Sequence, residues 1–328
     1  MVEIAGITEG KEMFKKIIKR INVAKRIRRF LRFFTVETYP YPLINKPKLE
    51  TTSIDNLTSY EMDIKKEINN PIVRICVITY NNVRFTRGCL NGLLMQKTNF
   101  PFEIYIYDDC STDGTSDIIR EYAGKYSNII TEIQTKNLYG TDRKLWDKKV
   151  YSIFKDHNRK YVAVADGDDH WIDQYKLQIQ VDFLRNHSDF SMCSGGYLIN
   201  YDFNGNQEIR LALTKHFIGI EYDFISAHSN LINLVKNFTR VYKTEAMPEY
   251  EIVRKYSFFR DVHLAYYVLQ KGRGYYFQRI FGNCNICANG IFSGLSSNEQ
   301  RDINYKVYEE LYRETRDEQV KKHFIQKV

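Results

Sequence analysis

The chain has 328 residues, 43% hydrophobic and 14% aromatic, which excludes wholesale disorder and leaves no need for a disulfide or metal staple. No apolar run approaches the roughly 20 residues that span a bilayer, the opening MVEIAGITEGKEMF lacks a signal-peptide apolar core, and six scattered cysteines read as reduced thiols of a cytoplasmic protein. The net charge of +8 is local: residues 1–32 hold ten Lys and Arg against three Glu, so a basic arm precedes a near-neutral body.

In the arm, Phe14, Ile17, Ile18, Ile21, Ala24, Leu31 and Phe34 recur at helical steps with Lys and Arg between them. An amphipathic basic helix of this kind predicts peripheral binding to an anionic membrane surface through residues 11–34, at the inner face of the cell membrane, the alternative being a helix docked on the body or on another subunit. Nucleic acid is not expected as a partner, because no basic patch continues onto the body. Residues 35–70, with Pro40, Pro42 and Pro47, read as an extended linker.

From Pro71 the texture changes. IVRICVITY reads as a buried parallel strand, 84–95 as a helix, FEIYIYDD as a strand and TSDIIREYAGKY as a helix capped by Thr115. IITEIQ reads as a strand, 142–157 as a helix, YVAVADGDD as a strand and its loop, and DQYKLQIQVDFLRN as a helix with Leu177, Val181 and Leu184 inward. This rhythm predicts an α/β fold with a mostly parallel sheet sandwiched by helices, its ligands beyond the carboxyl ends of the strands. SMCSGGYLIN reads as a strand, 200–258 yields no clear pattern, DVHLAYYVLQKG reads as a helix, GYYFQRIFGNCNI as a strand, and 296–328 as helical.

Two acidic clusters fall at predicted strand ends. Asp166, Asp168 and Asp169 put three carboxylates in four residues, an oxygen-rich set that suits Mg²⁺ or Mn²⁺. Asp108-Asp109-Cys110-Ser111-Thr112-Asp113-Gly114-Thr115 fails as a calcium loop, since Arg120 stands where a ligand Glu is required, and reads as strand, turn and helix with Asp109 facing the ligand. Each cluster alone is equally compatible with turn chemistry. Cys284-x-x-Cys287 lacks the second pair that a structural zinc would need, and both cysteines read as packing residues. The sequons at Asn56, Asn186 and Asn237 read as chance matches.

Taken together, CVITYNN, YDDCSTDGT and ADGDDHWIDQYKLQIQVDFL resemble the family 2 glycosyltransferases of the GT-A fold, over roughly residues 71–295. The resemblance implies a catalytic domain at 71–295 flanked by helical N- and C-terminal segments. It implies that Thr79, Tyr80, Asn81, Asp109 and Asp168 contact a nucleotide-diphospho-sugar, UDP by default, that Asp169 and Asp168 hold Mn²⁺ or Mg²⁺, and that Asp261, in SFFRDVHLAYYVLQKG, is the catalytic base. The expected reaction is inverting transfer of one sugar to a glycan or polyprenyl-linked acceptor in bacterial surface-polysaccharide biosynthesis. Relatives often carry a Tyr-Arg-x-His stretch where this chain has Cys284-Asn285-Ile286-Cys287, so a His expected at the metal or diphosphate is missing. The rival readings are a nucleotidyltransferase of similar fold, which would want a Gly-rich basic loop where Thr79-Tyr80-Asn81-Asn82 stands, and a degenerate glycan-binding scaffold, which would not need the four acids.

Overall fold

The computed structural model describes residues 70–203, 206–211, 220–230, 236–287, 292 and 294–325. The expected basic helix and all but the last residue of the linker lie outside the described residues. The described residues belong to one compact unit, Ile44–Val328.

The first half alternates strand and helix. β1 (Val73–Thr79) leads to α1 (Val83–Leu94), and β2 (Phe102–Asp108) to α2 (Thr115–Lys125). β3 (Ile129–Ile133) leads to α3 (Leu138–Thr141) and α4 (Arg143–Phe154). β4 (Tyr161–Asp166) and the two-residue β5 (His170–Trp171) precede α5 (Lys176–Asn186). The strands order as β3-β2-β1-β4, all parallel. Their β-branched side chains pack between helices on both faces, which is why these runs show no polar alternation. The registers Thr79↔Asp108 and Ile78↔Asp166 bring three strand ends level, so the loops after them share one edge.

The second half begins with β6 (Phe190–Phe203), β7 (Asn206–Leu211), β8 (Ile220–Tyr222), α6 (Phe224–Asn230) and β9 (Val241–Lys243). It continues with α7 (Tyr250–Val253), α8 (Asp261–Leu269), β10 (Arg273–Cys287), α9 (Ser297–Thr315) and α10 (Glu318–Val320). The sheet runs on from β4 through β9, β6 and β10 to β5. The parallel arrangement holds for β3-β2-β1-β4 and for β6 with β10, and five antiparallel ladders complete the sheet among the described residues. The last of these, Asn283↔His170 and Gly282↔Trp171, returns β10 beside the acidic loop.

The inward face of α5 is as expected, with Leu177, Val181 and Leu184 buried, each contributing about 1.5–3 kcal/mol. Charged groups are interior as well. Glu103 receives Arg74 Nε at 2.5 Å and Arg159 Nε at 2.9 Å, with Asp156 on Arg74 Nη2 at 2.7 Å, a fully compensated network under the sheet. Lys176 is buried over the Trp171 ring, 3.8 Å from its centroid, and burial pushes its ammonium down to about 7.

Candidate active site

The β1 and β2 loops form one hydrogen-bonded unit. Asp108, at the end of β2, accepts from the Ser111 and Ser116 hydroxyls, closing the turn. Asn81 sits at φ 52° and crosses to that turn: its N–H donates to Ser111 Oγ at 2.8 Å and its Oδ1 accepts the Thr112 N–H at 2.8 Å. Asn tolerates this left-handed conformation better than most side chains. Thr115 does not cap α2. Gly114, at φ 101°, takes the cap position, and Thr115 Oγ1 instead accepts the Asn82 N–H at 2.8 Å. Tyr80, beside Asn81, is 39% exposed.

Asp109 is buried, and its carboxylate spans the gap to α3. Leu138 N–H donates to Oδ1 at 3.0 Å, Tyr139 N–H to Oδ2 at 2.8 Å, and the Tyr107 hydroxyl to Oδ1 at 3.2 Å. The carboxylate thus ties the start of α3 to β2, giving three nearby donors a charged acceptor. Around α3, the Arg143 guanidinium packs against Tyr139, Trp146 and Phe258, 3.6 Å from the Phe258 centroid.

The acidic loop leans on the same edge. Gly167 N–H donates to Ile78 C=O at 3.0 Å, and a Cβ at Gly167 would lie 2.5 Å from Thr79 Oγ1. Only glycine allows this approach. Burial pushes the Asp166, Asp168 and Asp169 carboxyls above the ordinary range, and neighbouring carboxylates add to this for Asp166, which reaches about 7, and for Asp169. Asp169 Oδ1 accepts the Asn285 N–H at 2.9 Å, and the Cys284 thiol donates to the same carboxylate. Asn285 Nδ2 holds Asp168 C=O at 2.6 Å. Cys284 is therefore more than a packing residue, and β10 supplies the loop with neutral donors where a His was expected. No three His, Cys, Asp or Glu side chains converge into a ready-made metal cage among the described residues. The donor set nevertheless fits a hard divalent cation: crowded, desolvated carboxylate oxygens, whose mutual repulsion such an ion relieves.

Asp261 opens α8, its side chain about one-third exposed. It lies near enough to act on the charge of Asp166, as do Arg240 and Lys236. Arg240 is 3% exposed and pairs with Asp261, Nη2 to Oδ2, at 3.5 Å. Sequence reading did not single out Lys236 or Arg240. Both belong to the short stretch before β9, whose three residues are too few to show a period. All of the expected site residues thus fall on one edge of the sheet and its flanking loops.

Residues 74–234 match the family model described as Glycosyl transferase family 2. An uncharacterized protein of Mycobacterium tuberculosis is 37% identical over 123 residues, which are 36% of this chain and 33% of that protein. The dTDP-rhamnosyl transferase RfbG of Shigella flexneri is 32% identical over 105 residues, 31% of this chain and 34% of that protein. The chain thus spans about a third of the length of these curated relatives. Among solved structures, residues 1–349 of Staphylococcus aureus TarS, in complex with UDP-GlcNAc, superpose with a TM-score of 0.51 at 20% identity, covering 73% of this chain and 66% of that one. Residues 74–234 thus carry a glycosyl transferase family 2 domain, built on the GT-A fold.

Proposed function

We propose that this protein is an inverting glycosyltransferase that moves one sugar from a nucleotide-diphospho-sugar, with UDP as the default nucleotide, to a hydroxyl of a glycan or lipid-linked acceptor. The observation that carries the reading is the joining of Thr79, Asn81, Asp109 and the 166–169 loop along one sheet edge, with Asp261 within electrostatic reach. Tyr80 offers a ring for base stacking, and Asp109 Oδ2, which takes one N–H where Oδ1 takes two donors, keeps a further lone pair for a nucleobase N–H. Asp168 and Asp169 would hold Mn²⁺ or Mg²⁺, which when bound supplies counter-charge to the departing diphosphate.

Asp261 takes the proton of the acceptor hydroxyl as that oxygen forms its bond to the anomeric carbon. The bond from that carbon to the phosphate oxygen breaks, and the nucleoside diphosphate leaves with the electron pair. One displacement from the opposite face inverts the configuration. A nucleotidyltransferase is disfavoured because the β1 loop is built on Asn81 and Tyr80 rather than on glycines and cations. A relative named for dTDP-rhamnosyl transfer supports a nucleotide-diphospho-sugar donor, and the basic 11–34 segment supports action at an anionic membrane on a polyprenyl-linked acceptor of surface-polysaccharide synthesis. A thermal-shift panel of UDP-, GDP- and dTDP-sugars with Mn²⁺ or Mg²⁺ tests the donor class. A cation-dependent rise in Tm with one nucleotide class is expected, and no shift with any of them contradicts the reading.

A further inference from the structure

We propose that Arg240 is a positioning residue, whose guanidinium grips Asp261 at two points and aims the carboxylate used as the base. The inference rests on the reading of Asp261 given above. Arg240 follows the single turn Asn237–Thr239 and leads in extended conformation into β9, its N–H anchored on Asn237 C=O at 2.9 Å. From there the buried side chain runs beneath the start of α8. Nη1 donates to Asp261 C=O at 3.3 Å and Nη2 faces Asp261 Oδ2 at 3.5 Å. Nη1 also donates to the buried Tyr242 hydroxyl at 3.2 Å, and that hydroxyl donates onward to Asn237 Oδ1 at 3.4 Å. The planar fork is thus held from behind by its own strand and presents two N–H groups to one residue.

A guanidinium placed inside a protein stays charged, so its location fixes a positive charge. Here that charge acts on both Asp261 and Asp166. Groups close enough to act on Asp261 include Asp166 from β4, Tyr242 from β9, Tyr308 from α9 and His263 of its own helix turn. Asp166 opposes a negative charge at Asp261 and Arg240 favours it. Arg240 is thereby suited to two tasks: fixing the direction of the carboxylate, and keeping it ionised beside other acids. Lys236, on the same stretch, acts on Asp166 and Cys284 and so serves the acidic loop instead.

The test uses the full chain and the nucleotide sugar that gives the largest thermal shift, and follows nucleotide release to water as acceptor across pH. Arg240→Gln loses both direction and charge. Its kcat falls ~10²-fold, its donor KM is unchanged, and the acid limb of its pH profile moves up by about one pH unit. Arg240→Lys keeps the charge and loses the fork, so kcat falls about tenfold while the limb stays in place. Combining Arg240→Gln with Asp261→Asn is no worse than Asp261→Asn alone, because both act through one carboxylate. An Arg240→Gln enzyme with a lowered rate and an unmoved limb, or singles that multiply in the double variant, overturns the proposal. If Arg240→Gln does not fold, Arg240→Lys decides, and wild-type kcat in that variant overturns it. An unchanged rate in Asp261→Asn overturns the base assignment instead, which keeps the two failures apart.

Discussion

His263 Nε2 donates to Val307 C=O at 3.2 Å, while its Nδ1 accepts the Arg260 N–H at 3.0 Å. Because the Arg260 amide can only donate, Nδ1 carries no proton and the ring is the neutral Nε2–H tautomer. One side chain thus caps α8, whose first residue is Asp261, and bolts it to α9. Two more bonds join the same segments, Ser257 N–H to Glu310 at 3.1 Å and the Tyr266 hydroxyl to Asp317 at 2.9 Å. The C-terminal helical segment therefore supports the proposed base directly.

His263 gives the stability a pH dependence. Burial holds its pKa down to about 4 against 6.5 in the unfolded chain. Between those values the unfolded chain binds more protons, so stability falls as pH drops from 6.5 toward 4, by about 2 kcal/mol at pH 5. His263→Leu leaves two polar groups unmatched and costs about 2 kcal/mol at pH 7. It also removes this acid dependence, so urea unfolding at pH 7 and pH 5 should show the gap between wild type and variant closing. A gap that stays constant means that His263 is not the titrating group.

Asp169→Asn should separate stability from activity. Asp169 is buried among carboxylates that disfavour its charge, so the neutral amide should raise the Tm of the metal-free protein. Nucleotide release should fall at least ~10²-fold, because the leaving diphosphate loses preorganised electrostatic support. Differential scanning fluorimetry with a release assay reads both. A lower Tm in EDTA contradicts the account of a repulsive acidic loop.

Gly167→Ala tests the contact between the acidic loop and β1. The new methyl would meet Thr79 Oγ1 and Cβ, and one loop must move. The expected cost is about 1–3 kcal/mol in stability, with nucleotide affinity reduced about tenfold as the loop leaves its register. Titration calorimetry with UDP checks the second part. Wild-type affinity would show that the Thr79 edge is not part of the nucleotide site.

Glu103→Gln should destabilise the protein by about 3 kcal/mol, since Arg74 and Arg159 lose a shared buried counter-charge. Urea denaturation measures it, with nucleotide affinity unchanged because the network lies away from the carboxyl edge. A cost below about 1 kcal/mol would mark the network as solvent-compensated.

The sequence carried the first half of the fold clearly. IVRICVIT, FEIYIYD and YVAVAD are continuous apolar runs because both their faces are covered, and α5 shows Leu177, Val181 and Leu184 at helical spacing. Both acidic clusters were placed correctly at strand ends. Residues 200–258 resisted reading because β8 and β9 have three residues each and take their place from long-range pairing with β10, β4 and β6. The same holds for Arg240, an isolated Arg whose meaning lies in a partner 21 residues away. Cys284 and Asn285 were legible as a departure from the family pattern, but their contact with Asp169 depends on β10 pairing with β5. Thr115 was misread because a left-handed Gly114 can take the cap position, freeing the hydroxyl to accept from Asn82.

The most direct measurement of the central claim is nucleotide release by Asp261→Asn beside wild type, with donor affinity determined on the same samples. A base acting on the acceptor side predicts a rate lowered by ~10² to 10⁴ with donor affinity intact. A variant that releases nucleotide at the wild-type rate, or that loses donor binding instead, would contradict the assignment of Asp261 and the transfer mechanism built on it.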